Sequence, residues 1–296
     1  MPFPYIHEKK IINDALRQSV SQGSGRDFIS LPSGYTHYEI SNKDAAEIVV
    51  LVHGFTVPMF IWEPTFRFLT EQGYRVLRYE LFGRGYSDRP KAKYDLNFFT
   101  TQLCDLLDAL KISEPINLFG LSMGGPITAT FTARYPERIK KLALFDPAGG
   151  AEIPRSTILK LMEIPLLGEL LMGLFGRKTL IKGIAADFHN EALIEHFTKL
   201  YMPQLDYKGF ERAILMTIRN NALRNSLPTY RKVGETGIPT LLVWGRDDQT
   251  VPYAQSEQVV ESLPGVRLHT IENSGHIPHY EDADQINPLI LNFLKN

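Results

Sequence analysis

The chain has 296 residues, 44% of them hydrophobic, and 32 Lys and Arg against 33 Asp and Glu leave a formal net charge of -1. That length buries a sizeable core, and the balanced charge gives no basis for a nucleic-acid partner or an anionic membrane surface, both of which favour basic stripes. Cys104 is the only cysteine, which excludes an intramolecular disulfide, and the start, MPFPYIHEKK, lacks the layout of a signal peptide, so cytoplasm is the default expectation.

A short helical pattern, IINDALRQSV, ends in SQGSG, so residues 1–25 read as an N-terminal extension that packs on the core or frays. FISLPSGYTHYEI follows as an antiparallel pair turning at Pro32, Ser33 and Gly34. EIVVLVHGFTVP is a buried strand ending in His53 and Gly54, and RVLRYELF supplies the next one. FFTTQLCDLLDALKI reads as an amphipathic helix in which Cys104 is a buried, inert thiol.

The stretch NLFGLSMGG, residues 117–125, places Ser122 in a Gly-x-Ser-x-Gly frame directly after an apolar run. A serine on so sharp a strand-to-helix turn takes a strained backbone, and Gly120 and Gly124 remove side chains that would collide there. PITATFTARYPERI provides the helix, with Pro126 in its first turn and Tyr135 and Pro136 marking its end. KLALFDPAGG is a second buried strand, so the motif lies in a parallel strand, helix, strand unit. Ser122, at the carboxyl edge where open α/β sheets bind ligands, is the candidate nucleophile.

From Gly149 to about Ser226 the strand signals give way to helical ones, so residues 150–226 read as a cap inserted between core segments 26–149 and 227–296. STILKLMEIPLLGELLMGLFGRKTLIKGI is rich in Leu, Ile and Met but is broken by Pro165, Gly168, Gly173 and Gly176, leaving no run that spans a bilayer. The plain reading is helices packing on the core. The sharper one is a lid lining an acyl pocket, with Met162 and Met172 as adaptable contacts. Membrane contact through the cap is compatible with its composition but is not the expectation. His189 and His196, with Glu191 and Glu195 nearby, read as a solvated helix face rather than a metal site.

IPTLLVWGRDDQTVP brings a strand and a loop with Asp247 and Asp248, and after GVRLHTI the loop ENSGHIPHYED carries His276 ahead of a terminal helix. His276 is the candidate base. His279 competes locally, but Pro278 breaks any helix that would align the two rings on a metal. A carboxylate must hold the imidazole in the tautomer that accepts the serine proton; Asp248, Asp247, or Asp146 at the end of the strand after the elbow helix meets that need, and residue order leaves the three open. The N–H groups of Phe55 and Met123 are the candidate oxyanion donors, with the His53 ring bracing its loop rather than transferring protons.

The ordered parts VVLVHGF, YELFGRGYSDRP, GLSMGG, WGRDDQTVP and GHIPHYE make the chain, from about residue 26 onward, similar to the α/β-hydrolase superfamily in its capped esterase and lipase-like branch. The resemblance implies an α/β fold with a mostly parallel eight-stranded sheet flanked by helices, an inserted helical cap, and no cofactor or metal. It implies Asp248 as the acid beside His276. It also implies that FGRGYSD, residues 82–88, is a turn after a core strand; the segment lacks the third glycine and helix start of a nucleotide loop.

The expected chemistry is two-step acyl transfer on a small to medium carboxylic ester, monoacylglycerol-like in kind, through Ser122, His276 and Asp248. SMGGP, DPAGG and WGRDD also resemble hydrolases that cleave a carbon–carbon bond in ring-cleavage products. Those usually carry Asn before the serine, where this chain has Leu121, and a more glycine-rich loop than HGFTVP. Epoxide hydrolases and haloalkane dehalogenases use an aspartate where this chain has Ser122, whereas a cofactor-free perhydrolase would share the triad. A non-catalytic, ligand-binding protein on the same scaffold would typically have lost a triad member.

Overall fold

The computed structural model describes residues 5, 7–22, 25–151, 157–220 and 222–296. In chain order the strands are β1 (Arg26–Leu31), β2 (Gly34–Ile40), β3 (Ile48–Val52), β4 (Arg75–Tyr79), β5 (Ile116–Leu121), β6 (Ile139–Phe145), β7 (Thr240–Gly245) and β8 (Arg267–Ile271). Among the described residues they form one eight-stranded sheet in the order β1-β2-β4-β3-β5-β6-β7-β8. The first two pairings are antiparallel and the rest parallel, as the resemblance implies.

Strand alternation splits the core into two layers. In β3, Ile48, Val50 and Val52 enter one hydrophobic cluster while Val49 and Leu51 enter the other, the outcome for a strand covered on both faces. Leu118 and Phe119 of β5 divide the same way, as do Leu144 and Phe145 of β6. With the helices counted from α1 (Asp14–Ser21) and α2 (Glu63–Glu71), the first layer takes Leu103 of α3 (Leu96–Ala109), Phe131 of α4 (Gly124–Arg134), and Tyr230 and Val259 from further along the chain. The second takes Phe66 of a helix over Glu63–Glu71, Ile290 of the terminal helix Ala283–Lys295, and residues of the helical insertion.

That insertion lies between β6 and β7 and comprises helices over Thr157–Glu163, Leu167–Leu171, Arg177–Ala186, Ile194–Tyr201 and Phe210–Arg219. The next helix, Leu227–Glu235, packs on α4 and so belongs to the core. The cap was expected to begin at residue 150; residues 152–156, just beyond that point, lie outside the described residues.

The N-terminal segment does not only lie on the core. Its helix Asp14–Ser21 rests against β1, and Arg17 reaches Asp88 at 2.7 Å. Ahead of it the Glu8 carboxylate accepts the N–H groups of Gly209 and Glu211, both at 2.7 Å, at the start of the Phe210–Arg219 helix. Lys10 pairs with the same stretch through Asp206 and Lys208, both at 2.8 Å. Residues 23 and 24 of the SQGSG stretch lie outside the described residues. Cys104 is half-buried rather than buried, between Asp108 and Arg138 on the outer side of α3; burial and then the Asp108 carboxylate push its thiol pKa up, against reactivity.

Candidate active site

Ser122 follows β5 at once and has a φ of +52°, in the left-handed region that strains a residue with a Cβ. Its N–H bonds Phe145 O at 3.0 Å and its carbonyl accepts the N–H groups of Gly125 and Ala148. The turn is therefore fixed by β6 and α4 together. The flanking glycines are there for space: a Cβ on Gly120 would lie 2.5 Å from Gly124 O, and one on Gly124 would lie 2.3 Å from Val52 O. The close approach brings the start of α4 under the serine, so helix N–H groups and the dipole face the site.

His276 sits in the loop after β8. Its Nδ1–H donates to Asp248 Oδ2 at 2.7 Å, and Asp248 Oδ1 accepts the N–H groups of Thr250 and Val251, each at 2.8 Å. Burial alone would lower the His276 pKa; the adjacent Asp248 carboxylate, and behind it Asp187, outweigh this and hold it above the ordinary value. Of the three carboxylates left open by residue order, the structure brings Asp248 to the imidazole. Asp247 turns to the surface and pairs with His189 Nδ1 at 3.0 Å.

Asp146 directly follows β6 in a left-handed conformation, φ +42°, and is wholly buried, with Oδ1 accepting Gly245 N–H at 2.9 Å. Burial, and then repulsion from Asp248, push its pKa well above the usual carboxylate range. Among the described residues, Asp146, Asp248 and His276 are the one grouping tight enough to converge on a cation, with candidate atoms within 4.8 Å of one another. His276 Nδ1 and both Asp248 oxygens are engaged with each other and with backbone amides, whereas Asp146 Oδ2 has no hydrogen-bond partner among the described residues.

The candidate oxyanion loop is set by His53. Its Nε2 accepts Leu81 N–H at 3.0 Å, so the ring is the Nδ1–H tautomer and donates to Gly54 O at 2.9 Å. Burial lowers its pKa to about 4, in keeping with a neutral ring. In a trans peptide the C=O and N–H point opposite ways. Holding Gly54 C=O therefore aims Phe55 N–H away from His53. Gly54 lies against Ser122, since a Cβ on it would meet Ser122 Cβ at 3.1 Å.

Arg84, inside the 82–88 turn, is a participant that the sequence reading missed. It is fully buried, and its Nε donates to Phe55 O at 2.8 Å while Nη2 donates to Thr217 Oγ1 of the cap at 2.9 Å. Among the described residues no carboxylate pairs with it, and burial lowers its pKa to about 9. Two more missed contacts come from the cap: Asp187 O accepts His276 N–H at 2.8 Å, and Asp187 Oδ1 accepts the Thr250 hydroxyl at 2.7 Å. Glu281 completes the seam, accepting N–H groups from Gly275 and from His189 and Asn190 of the cap.

Ser122 and His276 line one pocket of about 220 Å³, together with Gly54, Phe55, Thr56, Val57, Ile61, Leu121, Ile277 and the cap residues Thr179, Leu180, Gly183, Ile184, Ala186 and Asp187. No Lys or Arg is among these lining residues. Met162 and Met172, expected as acyl contacts, are not among them either; Met172 is buried in the cap's own packing.

The family pattern described as alpha/beta hydrolase fold matches residues 47–283. A 2-hydroxy-6-oxononadienedioate/2-hydroxy-6-oxononatrienedioate hydrolase of Klebsiella pneumoniae is 30% identical over 275 residues, covering 85% of this chain and 88% of its own. Among solved structures, an enol-lactonase from Burkholderia xenovorans superposes with a TM-score of 0.78 at 22% identity, over 91% of this chain and 100% of its own. A membrane phospholipase A, described as a bacterial virulence factor, superposes with a TM-score of 0.74 at 25% identity, over 95% of this chain and 90% of its own.

Proposed function

The chain is a hydrolase of the α/β-hydrolase family, and from that premise we propose that it hydrolyses uncharged carboxylic esters of short to medium acyl length through an acyl-enzyme on Ser122. His276 Nε2 takes the hydroxyl proton as Ser122 Oγ attacks the carbonyl carbon, and the Asp248 carboxylate stabilises the imidazolium. The N–H groups of Phe55 and Met123 hold the oxyanion. His276 then protonates the leaving alcohol and activates a water that releases the acid. The residues supply every group these steps use, and no cofactor enters them.

The observation that carries the ester reading is the pocket lining. It is mostly apolar, contains one carboxylate, Asp187, and no cation. Its volume of about 220 Å³ lies below the roughly 300–1,000 Å³ of drug-sized ligand sites, which suits a short chain. The 25% identity to a phospholipase A, an ester hydrolase, supports the same reading.

The names of the curated relatives favour a second reading, carbon–carbon hydrolysis, over the ester one. A dienedioate carries two carboxylates, and the lining offers no Lys or Arg to receive them. Leu121 also stands where that group usually has Asn. We rank it second for these reasons.

The test is a series of p-nitrophenyl esters from acetate to palmitate, run beside a 2-hydroxy-6-oxo-dienedioate, for wild type and Ser122→Ala. The expected result is an optimum at short to medium acyl chains, lost in the variant. Turnover of the dienedioate alone would transfer the assignment to carbon–carbon cleavage. Turnover of neither, with no phosphonate labelling of Ser122 in folded protein, would point to a ligand-binding role.

A further inference from the structure

One stretch of the cap keeps large apolar side chains in solvent. Leu166, Leu170, Leu174 and Phe175 are 66%, 43%, 56% and 58% exposed, while Gly168, Met172 and Gly173 between them, and Gly176 after them, are buried. The helices Leu167–Leu171 and Arg177–Ala186 are joined without a break by a π-helical turn, Met172–Gly176. That wider turn accommodates an extra residue, which is how the successive Leu174 and Phe175 both face outward.

The same face turns cationic further along. Lys178 and Lys182 are exposed and form no ion pair among the described residues. Between residues 164 and 186 the sole carboxylate is Glu169, and it is drawn inward onto Arg219, with Oε2 2.8 Å from Nη2. Within residues 164–186 the face thus carries apolar bulk and positive charge, and its one carboxylate is already paired with Arg219. Thr179 and Gly183, on the same helix and exposed, also line the Ser122 pocket, so the pocket mouth opens beside it.

We propose that this face, residues 166–182, docks the protein on an anionic lipid surface. Leu166, Leu170, Leu174 and Phe175 would enter the acyl boundary while Lys178 and Lys182 meet the headgroups, the division an interfacial helix uses. The overall net charge of -1 conceals this local pattern. Docking is peripheral: among the described residues no helix is long and apolar enough to cross a membrane. A second copy of the chain is the weaker occupant, because self-pairing would gather four lysines while the one carboxylate of each face is already paired.

The test is co-sedimentation of the full chain with phosphatidylcholine vesicles and with mixed phosphatidylcholine–phosphatidylglycerol vesicles, at low and high salt. The expected result is binding to the mixed vesicles that weakens with salt. It falls about fivefold for each of Lys178→Gln and Lys182→Gln, and at least about tenfold in the double variant Leu174→Ser/Phe175→Ser. Unchanged melting temperatures keep these losses from being read as unfolding. No binding by wild type, equal binding to both vesicles, or variants that bind as wild type would overturn the proposal. A wild-type dimer that Leu174→Ser/Phe175→Ser splits would reassign the face to a second copy. The readout is binding rather than turnover, so it stands or falls apart from the ester reading.

Discussion

Asp146 and Asp248 lie just past the carboxyl ends of the neighbouring strands β6 and β7, and burial together with the Asp248 charge pushes the Asp146 pKa well above the usual carboxylate range. Asp248 is committed as an acceptor, from His276 Nδ1–H on one oxygen and from two amides on the other. Asp146 Oδ1 accepts Gly245 N–H, and no N–H or O–H of a described residue reaches its Oδ2. Burial and the Asp248 charge both favour the neutral form of Asp146.

Replacing the two with asparagine should therefore have unequal effects. Asp248→Asn removes the charge behind His276 and should lower kcat by about 10⁴. Asp146→Asn keeps a neutral group of the same shape and should stay within about threefold of wild type. Comparable losses in both variants would mean that Asp146 supplies part of the charge. Stability gives a second check: a carboxyl whose folded pKa is raised stabilises at acid pH and loses that contribution as pH climbs from about 4 through the raised value. The denaturation midpoint of Asp146→Asn should accordingly gain on wild type between acid and neutral pH.

The pH–rate profile reports on His276. As the proposed base it must be neutral, and Asp248 holds its pKa above the ordinary value despite burial. In the free enzyme kcat/KM should rise with pH through an apparent pKa above about 6.5, with the limb moving to lower pH in Asp248→Asn. A limb below that value in wild type contradicts the geometry.

Two residues outside the triad should affect kcat through Phe55. His53→Ala frees Gly54 C=O, so the opposed Phe55 N–H loses its aim; a drop of about 10- to 100-fold in kcat with little change in KM is expected. Arg84→Met leaves Phe55 O and Phe82 O without their guanidinium donor. At about 1–3 kcal/mol for each buried group left unpaired, it should cost roughly 3 kcal/mol of stability as well as activity, measured by urea denaturation beside kinetics.

Glycines at the elbow and in the cap should respond in opposite ways. Gly124→Ala sets a Cβ 2.3 Å from Val52 O, a backbone atom that cannot step aside, and should destabilise by roughly 3 kcal/mol. At Gly183 an added Cβ meets nothing within 4 Å. Gly183→Phe should fold normally, narrow the mouth, and shift the preferred ester to shorter chains.

How much of this was legible in the sequence follows from how far each signal reaches. Ser122, its glycines and the flanking strand and helix are neighbours in sequence, so their pattern survives as a motif. His276 and Asp248 are 28 residues apart, but each lies in a loop directly after a strand of recognisable composition. Residue order alone leaves Asp247 beside Asp248; the resemblance ranks Asp248 first, and the pairing of Asp247 with His189 depends on where the cap lands. Asp187 and Thr217 act across the cap–core seam, and no local pattern marks them. Arg84 was in view inside FGRGYSD, yet its composition reads as a turn; its role depends on reaching Phe55 and Thr217, 29 and 133 residues away. Met162 and Met172 failed as pocket contacts because helix packing within the cap took them first.

Glu8 secures the start of the Phe210–Arg219 helix from 201 residues away at Gly209. On the ribosome, at roughly 5–20 residues per second, that carboxylate exists for about ten seconds or more before the amides it will cap have been made. The segment around Glu8 must stay unattached through the assembly of β1 to β6 and dock once the insertion has formed. A stretch synthesised early is thus obliged to settle late, and a bulky fusion placed ahead of it would interfere with the closing steps of folding rather than the opening ones.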